Sequence, residues 1–222
     1  GWDTLKVVGL DGGLDARGLT VHWLRPVSPL HDITARLAIH DLNTIIIDFD
    51  NGYQLVDRAG KNVGLSGIGR IEAGPGRMTI TGLSHEDQTG IITSKLAGRL
   101  EDILALLAED RLHLLSRHPI SFTNPRGKAA VNLSLSLPLV SHVRIDDMTI
   151  NAHADVSHAA MGNVVAGRSV TNGRFGLDGT TQGLALAGSG VIGGLPATVS
   201  YTTEFSHVGP KCLAETAHKN SR

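Results

Sequence analysis

The chain of 222 residues holds a single cysteine, Cys212, and few aromatics: 2 Trp, 2 Tyr and 4 Phe. One thiol excludes an intrachain disulfide and a thiolate metal centre built from this chain alone, and it suits the cytosol and the bacterial periplasm equally. Neither sign of charge is in excess, with 20 Lys and Arg against 21 Asp and Glu. The basic footprint of a nucleic-acid or anionic-membrane binder is therefore missing. No apolar run of about 18 residues or more is available to span a bilayer as a helix, and no basic n-region with an apolar h-region is present. The chain opens at Gly1 without an initiator Met, from which we expect a piece of a longer protein. Glycine is what abounds: there are 27, without the three-residue period of collagen, beside 41% hydrophobic residues, too many for disorder. A chain of this length buries roughly 70–75% of its unfolded surface. It is expected to turn often and to pack with aliphatics.

The dominant pattern has period two, which places successive side chains on opposite faces of a strand. Ile33, Ala35, Leu37 and Ile39 alternate with Asp32, Thr34, Arg36 and His40. Val131, Leu133, Leu135 and Leu137 alternate with Asn132, Ser134 and Ser136, and Leu195, Ala197, Val199 and Tyr201 with Pro196, Thr198, Ser200 and Thr202. Each run has one apolar and one wet face, the antiparallel habit. Asp50-Asn51-Gly52, Ala73-Gly74-Pro75-Gly76, Thr171-Asn172-Gly173 and Asp178-Gly179 read as hairpin turns between such runs. About a dozen strands are expected.

One segment departs from this pattern. Leu100, Ile103, Leu104 and Leu107 fall at helical spacing, with Glu101 and Asp102 in the first turn, where the helix dipole favours negative charge. We expect one amphipathic helix near 99–110. His118-Pro119 and Asn124-Pro125 mark an irregular link, because a residue before proline is pushed out of the helical region, and strands resume at Gly127. The stretch from Asp41 to Leu83 is faintly echoed from Asp147 to Gly188. The expected organisation is thus a single segment over 1–205, made of two weakly similar meanders (about 14–98 and 127–205) joined by the helix and loop at 99–126. A polar tail follows at 206–222.

Chemistry is hard to assemble from these residues. None of the eleven histidines forms the i, i+4 pair with Glu of a zinc protease. His153, Asp155 and His158 come closest to a metal-ligand set, since His153 and Asp155 share a strand face, yet a solvent-facing polar edge is the plainer reading. Gly188-Ser189-Gly190 and Gly64-Leu65-Ser66-Gly67 lack the strand-to-helix setting of a nucleophile elbow. Asp146-Asp147 and His85-Glu86-Asp87 sit at expected turns, where solvated charge explains them. No nucleotide fingerprint occurs, and Cys212 has no activating partner in sequence. We expect no enzyme, no metal and no cofactor. The aliphatic rows need a cover: a second sheet or the helix in a closed domain, or acyl chains in a curled trough, which require aliphatic walls and no fixed hydrogen bonds. Alternation does not separate these.

Several features occur in a set order: Gly98-Arg99-Leu100 entering a helix with Asp102, Leu104 and Leu107; Pro125-Arg126-Gly127 followed by Leu133, Leu135, Leu137, Pro138 and Leu139; and Ile145-Asp146-Asp147-Met148. Asn172-Gly173 with Phe175 and Leu177, the Leu184 to Gly188 strand, and Leu195-Pro196-Ala197 running to Tyr201 and Phe205 complete it. In that order the chain, from about Leu14 to Phe205, resembles the AsmA-like, YhdP-type repeating β-groove family of Gram-negative bacteria, in its central domain of unknown function. The resemblance implies a mainly β fold, a curved, taco-like antiparallel sheet with one helix, acting in phospholipid transport between inner and outer membranes. It implies a periplasmic location, flanking repeats as neighbours, and anchoring in the inner membrane through a segment not present in this chain. Family members carry no catalytic residues. The lipid-binding positions would be the inward aliphatic rows Ile33, Leu37, Ile39, Ile45, Ile47, Leu133, Leu135, Leu137, Val199 and Tyr201, with phospholipid acyl chains as partner and no nucleic acid. The rival expectation is a ligand-free structural or interaction β-sandwich of a large envelope protein.

Overall fold

A computed structural model describes residues 9–23, 27–59, 66–84, 87–109, 123–140, 143, 147–165 and 167–205. They form one curved antiparallel sheet and one short helix. The strands are β1 (Gly12–Val21), β2 (Leu30–Ile39), β3 (Thr44–Asp50), β4 (Gly52–Asp57), β5 (Ile68–Thr81) and β6 (Thr89–Arg99), then the helix α1 (Leu100–Leu107). After it come β7 (Thr123–Pro138), β8 (Thr149–Val165), β9 (Arg168–Thr180), β10 (Gly183–Ile192) and β11 (Leu195–Glu204). Sheet order follows chain order, and β3 and β4 both lie along β5 as two halves of one bent strand. β6 pairs with β7 from Thr89 opposite Pro138 to Arg99 opposite Lys128, so the sheet runs unbroken past the helix. The second sheet that a closed sandwich requires is not among the described residues.

Register carries the period-two pattern across the whole sheet. Leu14, Leu37, Ile47, Met78, Ile92, Leu135 and Ile150 stand side by side on seven adjacent strands. Nearer the helix, Ala73, Leu96, Val131, Ala154, Leu177, Leu186 and Tyr201 form a second row that reaches β11. The opposite face is polar. There Asp15, Arg36, Asp48 and Arg77 alternate in sign on neighbouring strands, and Arg36 donates to Asp15 at 2.8 Å and Arg77 to Asp48 at 2.6 Å. Opposite charges placed directly across strands stabilise a pairing, whereas like charges weaken it.

The four segments expected as turns lie inside strands or at a strand bend. Asn51 joins β3 to β4 at φ +61 and faces Gly74 of β5 at φ +118. With Gly18 of β1 and Asp32 of β2, also at positive φ, they form a line of irregularities across the first half of the sheet. Gly127 of β7, His158 of β8 and Asn172 of β9 make a second line in the other half, where the ladder shifts register. Asp178-Gly179 sits in regular pairing within β9. Asn-Gly and Gly-Pro supply the positive φ that a hairpin needs, and a β-bulge makes the same demand, so the local signal cannot tell them apart. All six non-glycine residues at positive φ among those described are Asn, Asp or His, the types that tolerate that region best. Bulges bend strands and raise their twist, which gives a sheet of this width its curvature.

α1 is shorter than the expected 99–110, and β7 begins at Thr123, ahead of the expected restart at Gly127. Asn124-Pro125 therefore belongs to the strand, with Asn124 at φ +47 beside a register shift. A bulge frees Pro125 from the ladder bond it cannot donate. The helix lies over β4 to β7 at one end of the strands. There Leu100, Ile103 and Leu106 pack with Val56, Ile71, Ala129 and Val156 in the buried core.

Its two first-turn acids act in tertiary contacts. Asp102 is almost fully buried and accepts a 2.6 Å bond from Arg58 Nε and a 3.3 Å bond from the Arg70 backbone N–H. Gly69 makes room for it, since a Cβ at that position would stand 2.0 Å from Asp102 Oδ1. Glu101, also buried, forms an ion pair with Arg99. Removing one partner of a buried pair leaves the other charge uncompensated. Asp102→Ala is therefore expected to lower stability by about 3–5 kcal/mol in urea unfolding, and Gly69→Ala to destabilise by displacing the same carboxylate.

Candidate functional site

The ten expected site residues all fall on the apolar face. Leu37, Ile47 and Leu135 share one transverse row, and Ile39, Ile45 and Leu137 the next. Leu133 lies one row closer to the helix, and Tyr201 and Val199 stand on β11 across from Leu186 and Gly188. Ile33 covers Gly52, whose missing side chain leaves space for it. The set is spread over a surface: β2 and β11 are eight strand spacings apart, about 40 Å along the sheet.

Burial divides this face. Near α1, Val56, Ile71 and Ala129 are buried, and Ile33 is buried over Gly52. Away from it, Leu37, Ile39, Ile45, Ile47, Leu133, Leu137 and Val199 are only half-buried, and Tyr201 is 52% exposed. Leu135 is an exception among them, at 6% exposure. Among the described residues α1 is the only helix, and it covers one end. The rest of the face presents aliphatic carbon with almost no polar group. Gln54 is its one buried polar side chain, and its Nε2 donates to the Ser28 carbonyl at 2.7 Å.

Other members of the same rows were harder to find in the sequence. Phe49, Met78, Ile92, Leu96, Ile150, Leu177 and Leu186 belong to this face by register. In β5, β6, β9 and β10 glycines replace aliphatics at same-face positions, as at Gly76, Gly90, Gly179 and Gly188, so the hydrophobic alternation is interrupted. Two of these glycines have a neighbour's ring over them. The Phe49 ring occupies the space of a Gly76 Cβ, and Phe175 that of Gly188.

The chemical candidates resolve into polar-face contacts. His153 Nδ1 lies 2.6 Å from Asp178 Oδ1 across the β8–β9 pairing, and its Nε2 is 3.7 Å from Asp155. His158 occupies the bulge beyond them. Among the described residues no group of three or more His, Cys, Asp or Glu converges on one point. Ser189 sits in mid-strand, paired with Arg174 and Thr198. Ser66, Asp87 and Asp147 are described, whereas Cys212, His85, Glu86, Asp146, Gly64, Leu65 and the 206–222 tail lie outside the described residues.

The hydrogen bond to Asp178 holds the His153 imidazolium above its ordinary value of 6.5. A folded pKa raised above the unfolded one contributes stability that is fully present below about 6.5 and lost as pH rises through the folded value. In an NMR titration, Asp178→Asn is expected to return the His153 ring towards 6.5. The stability difference between the two proteins should be present below that pH and close as the medium becomes alkaline.

Among the described residues no helix is long and apolar enough to cross a membrane. Compared with protein-family models, with curated proteins and with solved structures, the chain finds no match in any of the three.

Proposed function

We propose that this chain is a segment of a periplasmic, AsmA-like bridge-type phospholipid transport protein, holding acyl chains against its apolar face and carrying out no catalysis. The observation behind this reading is the aliphatic face itself, continuous by register over adjacent strands and half-exposed away from α1. Contiguous apolar surface beyond a few hundred Å² marks an interaction site. A protein partner's backbone would bring polar groups that this face has almost no means to satisfy, and an acyl chain brings none.

The sheet edges fit the same reading. Among the described residues β1 pairs only with β2 and β11 only with β10, so each edge strand has one side without a described neighbour. An unpaired edge is a template for further strands, here those of flanking repeats in a longer conduit anchored in the inner membrane. The trough of this segment, about 45 Å along the stacking direction, supplies one length of such a route.

Mass spectrometry of an organic extract of the purified protein is expected to show bound phospholipid. A lipid-free extract from protein that is folded by circular dichroism would overturn the proposal. Ile47→Asp, at a half-buried position away from the helix, should lose most of the bound lipid and keep its far-ultraviolet spectrum. Asp48→Asn, on the opposite face, should keep its lipid.

A further inference from the structure

The polar face carries an arrangement that its own charge pattern does not account for. Far from α1, neighbouring strands set Asp15, Arg36, Asp48 and Arg77 in alternating sign. At the helix end the rule is reversed: Arg99 and Lys128 stand directly across from one another on β6 and β7, and Arg70 of β5 lies one residue beyond the Ile71–Gly98 pair, on the same side as Arg99. Ser157 of β8 follows opposite Lys128, and Arg174 of β9 lies beside it. Like charges directly opposite weaken strand pairing. A local rule broken in an otherwise consistent sheet points to function.

Two of the four cations have carboxylate partners. Arg70 donates to Glu72 at 2.6 Å and lies 3.8 Å over the Tyr53 ring, while Arg99 reaches Glu101. Lys128 and Arg174 have no ion-pair partner among the described residues. Between and beside these cations the next row is small, with Ala97, Ala130, Gly176 and Ala187 on consecutive strands except at β8, where Asp155 stands. The small row floors an open hollow of about 960 Å³. The second line of bulges runs along its margin and sets Ser157 and His158 together against Arg174. Bulges of this kind re-aim side chains next to sites.

We propose that this hollow binds a phosphate-bearing, non-aromatic group, with the oxyanion between Lys128 and Arg174 and the Ser157 hydroxyl donating to it. A guanidinium offers a phosphate paired N–H donors and an ammonium adds a point charge. Of the described aromatic residues at the hollow, Phe175 belongs by register to the opposite face, where its ring covers Gly188, which leaves the His158 imidazole and no Trp, Tyr or Phe ring in the lining on this face for a nucleobase to stack on. The ligand is thus a glycerophosphate or sugar phosphate, free or as a lipid headgroup. This site lies on the opposite face from the aliphatic rows, and it stands whether or not those rows hold lipid.

Backbone amide NMR at low salt, with glycerol 3-phosphate and pyrophosphate as soluble probes and phosphatidylcholine vesicles containing phosphatidic acid as the headgroup probe, tests it. Saturable shifts at Lys128, Ser157 and Arg174 with the soluble probes assign a free phosphate. Binding to the acidic vesicles alone assigns the headgroup. In either case the double variant Lys128→Met with Arg174→Met should weaken binding at least about tenfold, and Arg77→Met, outside the hollow, should leave it unchanged. The double variant relieves like-charge opposition, so it should melt no lower than the parent, and its folding is checked by the same spectra. Binding to no probe, or equal binding by the double variant and the parent, overturns the proposal.

Discussion

Everything in this molecule depends on returning the aliphatic residue to the same side of the sheet after every turn and every irregularity. Side chains in a strand have period two, so a slip of one residue moves a whole hydrophobic set to the wrong face. Bulges are the danger, because each adds a residue to one strand and not to its partner. Here they come in lines: Asn51 faces Gly74 and Pro75, and His158 faces the strand that carries Asn172. Irregularities matched across neighbours let Ile45, Ile47 and Phe49 on one side of the bend, and Gln54 and Val56 on the other, remain on one face. The same residues supply curvature and preserve register.

The helix introduces a second asymmetry, along the strands. At its end a buried core forms, and the Arg58–Asp102 pair with the Arg70 amide ties α1 to β4 and β5. At the other end the same aliphatic rows continue without that layer and stay half-exposed. One apolar face thus provides core at one end of its strands and half-exposed aliphatic surface at the other. The polar face divides at the same place, with paired opposite charges away from the helix and opposed cations beside it.

Much of the fold was legible in the sequence because it rests on periodicity. The alternations at Ile33–Ile39, Val131–Leu137 and Leu195–Tyr201 are all strands, and the helical spacing of Leu100, Ile103 and Leu107 is a helix. The turn signals were misleading for a definite reason. Gly and Asn report a demand for positive φ, and whether the chain then reverses or continues is decided by its neighbours in the sheet. The first-turn acids were similarly ambiguous: Glu101 and Asp102 satisfy a helix dipole, yet their burial against Arg99 and Arg58 depends on residues up to 44 positions away.

The candidate site was legible in part. The ten aliphatic positions share a face because parity follows from the strand pattern alone. Their companions Met78, Ile92 and Leu186 were obscured where glycine interrupts the alternation. By itself, the sequence determined which residues are apolar, which side of its own strand each occupies and where left-handed backbone is affordable, since these are local properties of side chains and φ. Only the tertiary structure decided which strands are neighbours. It thereby set the rows that align, the face that α1 leaves half-exposed, and the meeting of Arg70, Arg99 and Lys128, because strand pairing joins residues that no local interaction connects.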